Sequence, residues 1–218
     1  MALYIGSTKI KDLYLGSTKM KQAYLGSTLV YSSSHYTPNQ VLYESSTGGA
    51  STTLNLLDDG KYQVICIAGG GGGAGYSVSA FSGASGGGSG SGFNCVFQLT
   101  AGSYEVAVGS GGTPKSDGTA GTGGDSRFGT SYARGGGGGS ASLKSRTGGS
   151  GGASPTLTYT RTTPTLNTAG NSGSTVSNKN TASGGSAVYS SYGKGGDGKY
   201  NGSNAGTAGY VKVVYKGA

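Results

Sequence analysis

The chain of 218 residues is poor in the groups that most site chemistry requires. It has one histidine, His35, so a histidine-based triad or a His-rich metal site would have to use that residue alone. Two cysteines, Cys66 and Cys95, are too few for a disulfide framework. Each lies in a strand-like stretch; adjacent strands would bring them together, but buried reduced thiols are the expectation. There are eight acidic residues. Most fall in turns or strands, and glycan cleavage would need a carboxylate pair facing across a groove. Asp58 and Asp59 are the only adjacent carboxylates, and a turn accounts for them. No apolar stretch approaches the length of a membrane span, and residues 1–10 lack the apolar core of a signal peptide. The sixteen basic residues give a net charge of +8 without any dense basic run. Lys115, Arg127, Arg134, Lys144, Arg146, Arg161, Lys179, Lys194 and Lys199 are scattered, so no nucleic-acid patch is expected. A diffuse positive field suits an anionic surface such as phosphate-rich polysaccharide. The expectation is therefore no enzyme, no metal, no cofactor and no membrane insertion.

What the chain has in excess is glycine, 48 residues of it, and the glycines cluster. They fill 69–73 and 135–139 and dominate 86–92, 109–112, 118–124, 148–152, 193–198 and 206–209. Such runs lose more backbone entropy on ordering than any other sequence. Either they are flexible tethers, or the fold needs backbones packed with no side chain between them. Collagen is excluded, because it needs glycine at every third position. A tether is disfavoured because the runs alternate with stretches rich in β-branched and aromatic residues: 41–43, 52–57, 62–67, 93–99, 104–108 and 210–215. Asp58-Asp59-Gly60 between two of these predicts a hairpin. Glycine runs that order without side chains suit polyglycine-II helices, with three residues per turn and no internal hydrogen bonds. Their N–H and C=O groups point sideways and must find partners on neighbouring rods.

The first 32 residues carry three ten-residue units, starting at Leu3, Leu13 and Ala23. Each reads as a short strand, a Gly-Ser-Thr turn and a second strand. One unit cannot bury an apolar face, whereas stacked units or several chains can. Tyr4, Tyr14 and Tyr24 recur in phase, as do Ile10, Met20 and Val30, and they are read as core or interface ladders for attachment or oligomerisation. The organisation expected is 1–32 repeats, 33–40 linker, and 41–218 glycine-rich domain.

Gly70, Gly72 and Gly75 match a dinucleotide-binding spacing, but no helical periodicity follows and the next acid is Glu105, too distant to hold a ribose. The remaining candidates are loops between glycine runs, since a rigid scaffold can present binding loops. Tyr76, Phe81, Lys144, Arg146, Leu157, Tyr159, Arg161, Tyr189, Tyr192 and Tyr200 are the residues expected to bind, with 153–183 as the longest loop. Tyrosine anchors among Ser, Gly and Asn are the composition of binding loops.

Tyr62-Gln-Val-Ile-Cys-Ile-Ala-Gly-Gly-Gly-Gly-Gly73 resembles the opening of the glycine-rich domains of phage tail-fibre proteins. Leu99-Thr-Ala-Gly-Ser-Tyr-Glu-Val-Ala-Val-Gly-Ser-Gly-Gly112, Gly124-Asp-Ser-Arg-Phe-Gly129, Ala133-Arg-Gly-Gly-Gly-Gly-Gly139 and Gly209-Tyr-Val-Lys-Val-Val-Tyr215 fit the same pattern, over roughly 41–218. The resemblance implies a mainly β chain with essentially no α-helix, in which a β-sandwich portion leads into packed polyglycine-II helices. In the tip adhesins of T-even-type phages, loops at the distal end of such a lattice contact the host receptor. The decapeptide units resemble N-terminal modules of phage and prophage tail proteins. The chain is also similar to the glycine-rich domain of receptor tyrosine kinases of the anaplastic lymphoma type, so the fold alone does not fix the partner. The expected function is a virion adhesin, made without a signal peptide. It would bind a bacterial surface protein or glycan, join other tail or fibre proteins, and form a homo-oligomer, with a trimer as the guess. The alternative is a structural tail or fibre component with no receptor of its own.

Overall fold

A computed structural model describes residues 4–5, 8–9, 13–20, 22–25, 28–32, 35–78, 81–142, 145–161, 165–177, 180–200 and 202–218. Among these residues there is no helix, and the sheets are antiparallel.

The decapeptide units form hairpins. Tyr4–Ile5 pairs with Thr8–Lys9, Leu13–Leu15 with Thr18–Met20, and Gln22–Leu25 with Thr28–Ser32. Gly16 takes a positive φ of 62°, a turn conformation that a residue without Cβ adopts at no steric cost. Met20 is half-buried and pairs with Leu13. Ile10 lies outside the described residues, as do the side chains of Tyr4, Tyr14, Tyr24 and Val30.

Residues 41–217 begin and end in a β-sandwich. One sheet has five strands in the order Leu166–Thr168, Gly92–Leu99, Gly60–Ile67, Tyr210–Gly217, Val41–Ser45; the other has four, Ser131–Ala133, Ser126–Phe128, Gly102–Ala107, Ser51–Leu56. Alternate residues of each strand meet between the sheets, as the two-residue period of a strand requires. Leu56, Tyr62, Val64, Cys66, Phe93, Cys95, Phe97, Val106, Phe128, Val211 and Val213 form that core. Both cysteines are free and buried there. Burial pushes both thiols above their ordinary range, consistent with inert core residues.

The hairpin expected at Asp58-Asp59-Gly60 is corrected by the sheet order. Ser51–Leu56 pairs with Gly102–Ala107, whereas Gly60–Ile67 pairs with Gly92–Leu99 and Tyr210–Gly217, so the turn crosses from one sheet to the other. Leu56 and Tyr62, on different sheets, both reach the shared core. The two carboxylates pin the crossing. Asp58 accepts the backbone N–H groups of His35 and Tyr36, at 2.6 and 3.1 Å, and Asp59 accepts that of Ala101 at 2.7 Å.

The glycine segments fill the rest. In segment 68–74 each backbone group addresses a neighbour that returns every third residue. Gly69 and Gly72 donate to Gly124 and Gly121, Gly70 and Gly73 to Thr207 and Asn204, and Ala68 and Gly71 to Ser91 and Gly88. The carbonyls of Gly69 and Gly72 accept from Gly136 and Gly139, those of Gly70 and Gly73 from Gly112 and Lys115, and that of Gly71 from Gly196. A three-residue period of lateral hydrogen bonds is polyglycine-II geometry. Segment 68–74 is therefore a buried rod surrounded by six others: 85–91, 109–115, 119–124, 134–139, 193–198 and 204–209. Segment 85–91 is a second buried rod, bonded to 68–71, 134–137, 149–152, 171–174, 185 and 193–196.

Candidate functional site

The register of these bonds orders the chain into alternating directions. Segment 68–74 leaves strand Gly60–Ile67, turns back through the hairpin Ala74–Val78 with Phe81–Ser85, and returns as 85–91 into strand Gly92–Leu99. Segment 109–115 follows strand Gly102–Ala107 and runs parallel to 68–74, since Gly112 and Lys115 donate to Gly70 and Gly73. Segment 119–124 comes back, as Gly124 and Gly121 accept from Gly69 and Gly72. By the same reasoning 134–139, 170–174 and 193–198 lead away from the sandwich, and 148–152, 183–186 and 204–209 lead back.

Five returns therefore lie at one end: 74–85, 115–119, 140–147, 175–182 and 199–203. Strand Thr175–Ser177 adds to the hairpin at Phe81–Ser85, and Gly118–Thr119, Ser140–Ala141 and Arg146–Thr147 make a second small sheet. This tip lies opposite the point where the chain enters the sandwich. Val41 sits opposite Val214, Ser45 opposite Val211, and Asn39 donates to the Tyr215 carbonyl, so residues 35–41 reach the sandwich at the end remote from the rods.

This arrangement divides the expected binding residues. Tyr76, Arg146 and Tyr200 are at the tip, as is Phe81 by its backbone, its side chain being outside the described residues. Lys144 also lies outside them. Tyr76 is half-buried against Ala74, Ala120 and Ala141 and faces Gly83 across the hairpin. Arg146 lies across Gly83, where a Cβ would come within 2.0 Å of its Nε. Its Nη1 donates weakly to Ser177 Oγ at 3.4 Å, and its Nε is buried with no partner. Tyr200 is half-buried beside Lys199, whose backbone N–H and carbonyl both bond to Ser203 Oγ.

Leu157, Tyr159, Arg161, Tyr189 and Tyr192 are at the other end. The stretch 153–183 is not a single loop. Thr156 bridges Tyr132, Arg161 bridges Phe97, and Leu166–Thr168 pairs with residues 92–94 before rod 170–174 begins. Leu157 and Tyr159 pack on the sandwich core, the Tyr159 ring edge-on to Phe97, Tyr104 and Phe128. Tyr189 and Tyr192 come together on the outer face of the five-stranded sheet, stacked on Tyr210 at 6.2 and 4.4 Å between ring centres. The tyrosines thus form separate groups rather than one cluster.

The ion pairs among described residues are also at the sandwich end. They are Arg127–Glu105, Arg134–Asp125, Lys212–Glu44 and His35–Asp58, at 3.3, 2.9, 3.0 and 2.7 Å. Lys115 and Asp117 at the tip are exposed, and Lys199 is half-buried. The placement of Lys115 and Lys199 at a common tip was missed by sequence reasoning. The missed signal is glycine at three-residue spacing in an outer rod, as at Gly170 and Gly173. Among the described residues no three His, Cys, Asp or Glu side chains gather to hold a metal ion.

With this geometry established, the comparisons place the chain. The model of the glycine-rich domain matches residues 45–218. The chain belongs to that family. No curated protein matches it. The matched span takes in the sandwich strands from Ser51 onward and both buried rods, so family membership and fold describe the same unit.

Proposed function

We propose that the protein is a tail-fibre or tail-tip adhesin of a phage, which binds a receptor on the bacterial surface through the tip returns. The observation that carries this reading is the topology. The returns converge at one end of a hydrogen-bonded lattice, opposite the entry of the chain into the sandwich. A rigid scaffold that gathers its connecting turns at one end is built to present them. Residues 1–32 would mount or oligomerise the chain, and several weak tips acting together would give avidity. In this reading the protein resides in the virion, its partners are the bacterial receptor and other tail proteins, and it performs no catalysis.

A second reading, a structural fibre component without a receptor, draws on a specific observation. Tyr159, Tyr189 and Tyr192 are consumed by packing on the sandwich. The two readings separate by cell binding. Labelled intact protein is offered to a panel of bacterial cells beside a variant in which 77–82 and 199–203 are replaced by short Gly-Ser links, both with matched thermal unfolding. Saturable binding lost in the variant supports the adhesin. Absence of binding by the intact protein to every strain favours the structural component.

A further inference from the structure

Charge is segregated along the rods. The eight acids of the chain are Asp12 in the repeats, Glu44, Asp58, Asp59, Glu105 and Asp125 around the sandwich, Asp197 within a rod, and Asp117 at the tip. The described ion pairs all use the sandwich acids, and Asp197 accepts the Gly184 N–H. The described residues of the tip returns carry Lys115, Arg146 and Lys199. Lys115, Arg146 and Lys199 take part in none of those pairs. Lys115 and Lys199 flank one backbone segment. Gly75 donates to the Lys115 carbonyl, and a Cβ on Gly75 would meet the Lys199 carbonyl. Arg146 covers Gly83 on the partner strand of the same hairpin. Lys115 and Lys199 through their backbones, and Arg146 through its side chain, therefore border the hairpin at the end of the two buried rods.

We infer that the tip takes an anionic polysaccharide of the cell surface, one bearing phosphate or carboxylate groups, with Lys115, Arg146 and Lys199 meeting the anions. This deepens the adhesin reading and rests on it. The chemistry beside the cations favours this ligand over others. Thr113, Ser116 and Ser145, all exposed, and the half-buried Tyr200 offer hydroxyls to a ligand rich in hydroxyls of its own. Lys115, Arg146 and Lys199 stand in three different returns, which suits a flexible chain with spaced charges. A lipid surface would call for an apolar face to insert, and a duplex for a continuous basic stripe.

The test compares three proteins on cells that the intact chain binds: wild type, a tip variant with Lys115→Gln and Lys199→Gln, and a charge-matched base variant with Lys61→Gln and Lys194→Gln. Arg146 is retained because it packs on Gly83. The tip variant is expected to bind about tenfold more weakly, the two lost charges each contributing modestly, while the base variant binds like wild type. Phosphomannan should compete and neutral mannan should not. Equal binding by the tip and wild-type proteins, or equal competition by the neutral polymer, overturns the inference and leaves the adhesin reading intact. Equal loss in both variants also overturns it, by showing a non-specific charge effect. Where no cell is bound, the adhesin reading fails separately. The inference is then decided by calorimetry of phosphomannan, neutral mannan, phosphatidylglycerol vesicles and duplex DNA with wild type and tip variant. Tip-dependent binding to phosphomannan alone supports it, and any other pattern overturns it.

Discussion

A Cβ on Gly71 would stand 2.0 Å from the carbonyl oxygen of Gly137. No real Cβ contact is that short, and the obstacle is backbone in a neighbouring rod, which cannot rotate away as a side chain would. Gly71→Ala must therefore push rod 134–139 outward and stretch bonds such as Gly136 to Gly69 and Gly139 to Gly72. The expected cost is about 3 kcal/mol or more, with Tm lower by about 10 °C. Lys194→Ala, at an exposed rod position, should change Tm by no more than a degree or two in the same calorimetric scans. Equal melting of the two variants would contradict the lattice.

Ser126 ties the sandwich to the rods. Its hydroxyl is buried, donates to the Ile67 carbonyl at 2.7 Å and accepts the Gly109 N–H at 2.8 Å. These are the points where two rods leave their strands. Ser126→Ala leaves both backbone groups without their partner, and an unpaired buried polar group costs about 1–3 kcal/mol. Denaturant unfolding should show that loss, and hydrogen exchange at Gly109 should accelerate more than exchange at Gly88. Unchanged exchange at Gly109 would argue against this role.

The sandwich strands were legible in the sequence because they are rich in β-branched and aromatic residues, as in 62–67 and 210–215. The two buried rods were legible because a rod enclosed on all sides admits almost nothing but glycine, hence the unbroken run at 69–73. The outer rods 170–174 and 183–186 were not. A rod with one open side needs glycine only where it faces a neighbour, so Gly-Asn-Ser-Gly at 170–173 read as part of a loop. Once these rods are unseen, the direction of each connection is lost. Tip and base residues then look alike, and Tyr159 was grouped with Tyr76. The crossing at Asp58 was misread for a related reason. Asp-Asp-Gly marks a tight turn, while the choice of sheet depends on core partners distant in sequence.

Tyr159 offers a direct check of that division. Its ring closes the core beside Phe97, Tyr104 and Phe128, and its hydroxyl accepts the Thr130 N–H at 3.1 Å. Tyr159→Ala should lower stability by about 2–3 kcal/mol, as large-to-small changes at packed aromatic sites do. Below its melting temperature the variant should bind any ligand of the tip as wild type does. Normal stability together with lost binding would make Tyr159 a ligand contact instead.

Tyr210 and Glu44 limit stability from both sides of the pH range. The Tyr210 hydroxyl donates to Glu44 Oε1 at 2.6 Å, and Lys212 pairs with the other carboxylate oxygen at 3.0 Å. The Tyr210 hydrogen bond, and secondarily Lys212, holds the Glu44 carboxyl below its ordinary 4.5. A depressed carboxyl contributes stability above pH 4.5 that is lost as pH falls through its lowered value. Tyr210 is pushed up from its ordinary 10.0, chiefly by burial and then by its bond to Glu44. A raised phenol contributes stability below pH 10 that is lost as pH rises beyond it. Tyr210→Phe keeps the stack on Tyr192 and removes the hydrogen bond. The stability gap between wild type and this variant should be widest between about pH 5 and pH 10 and narrow on either side. Urea midpoints measured across that range test it, and a gap independent of pH would show that the bond to Glu44 contributes nothing.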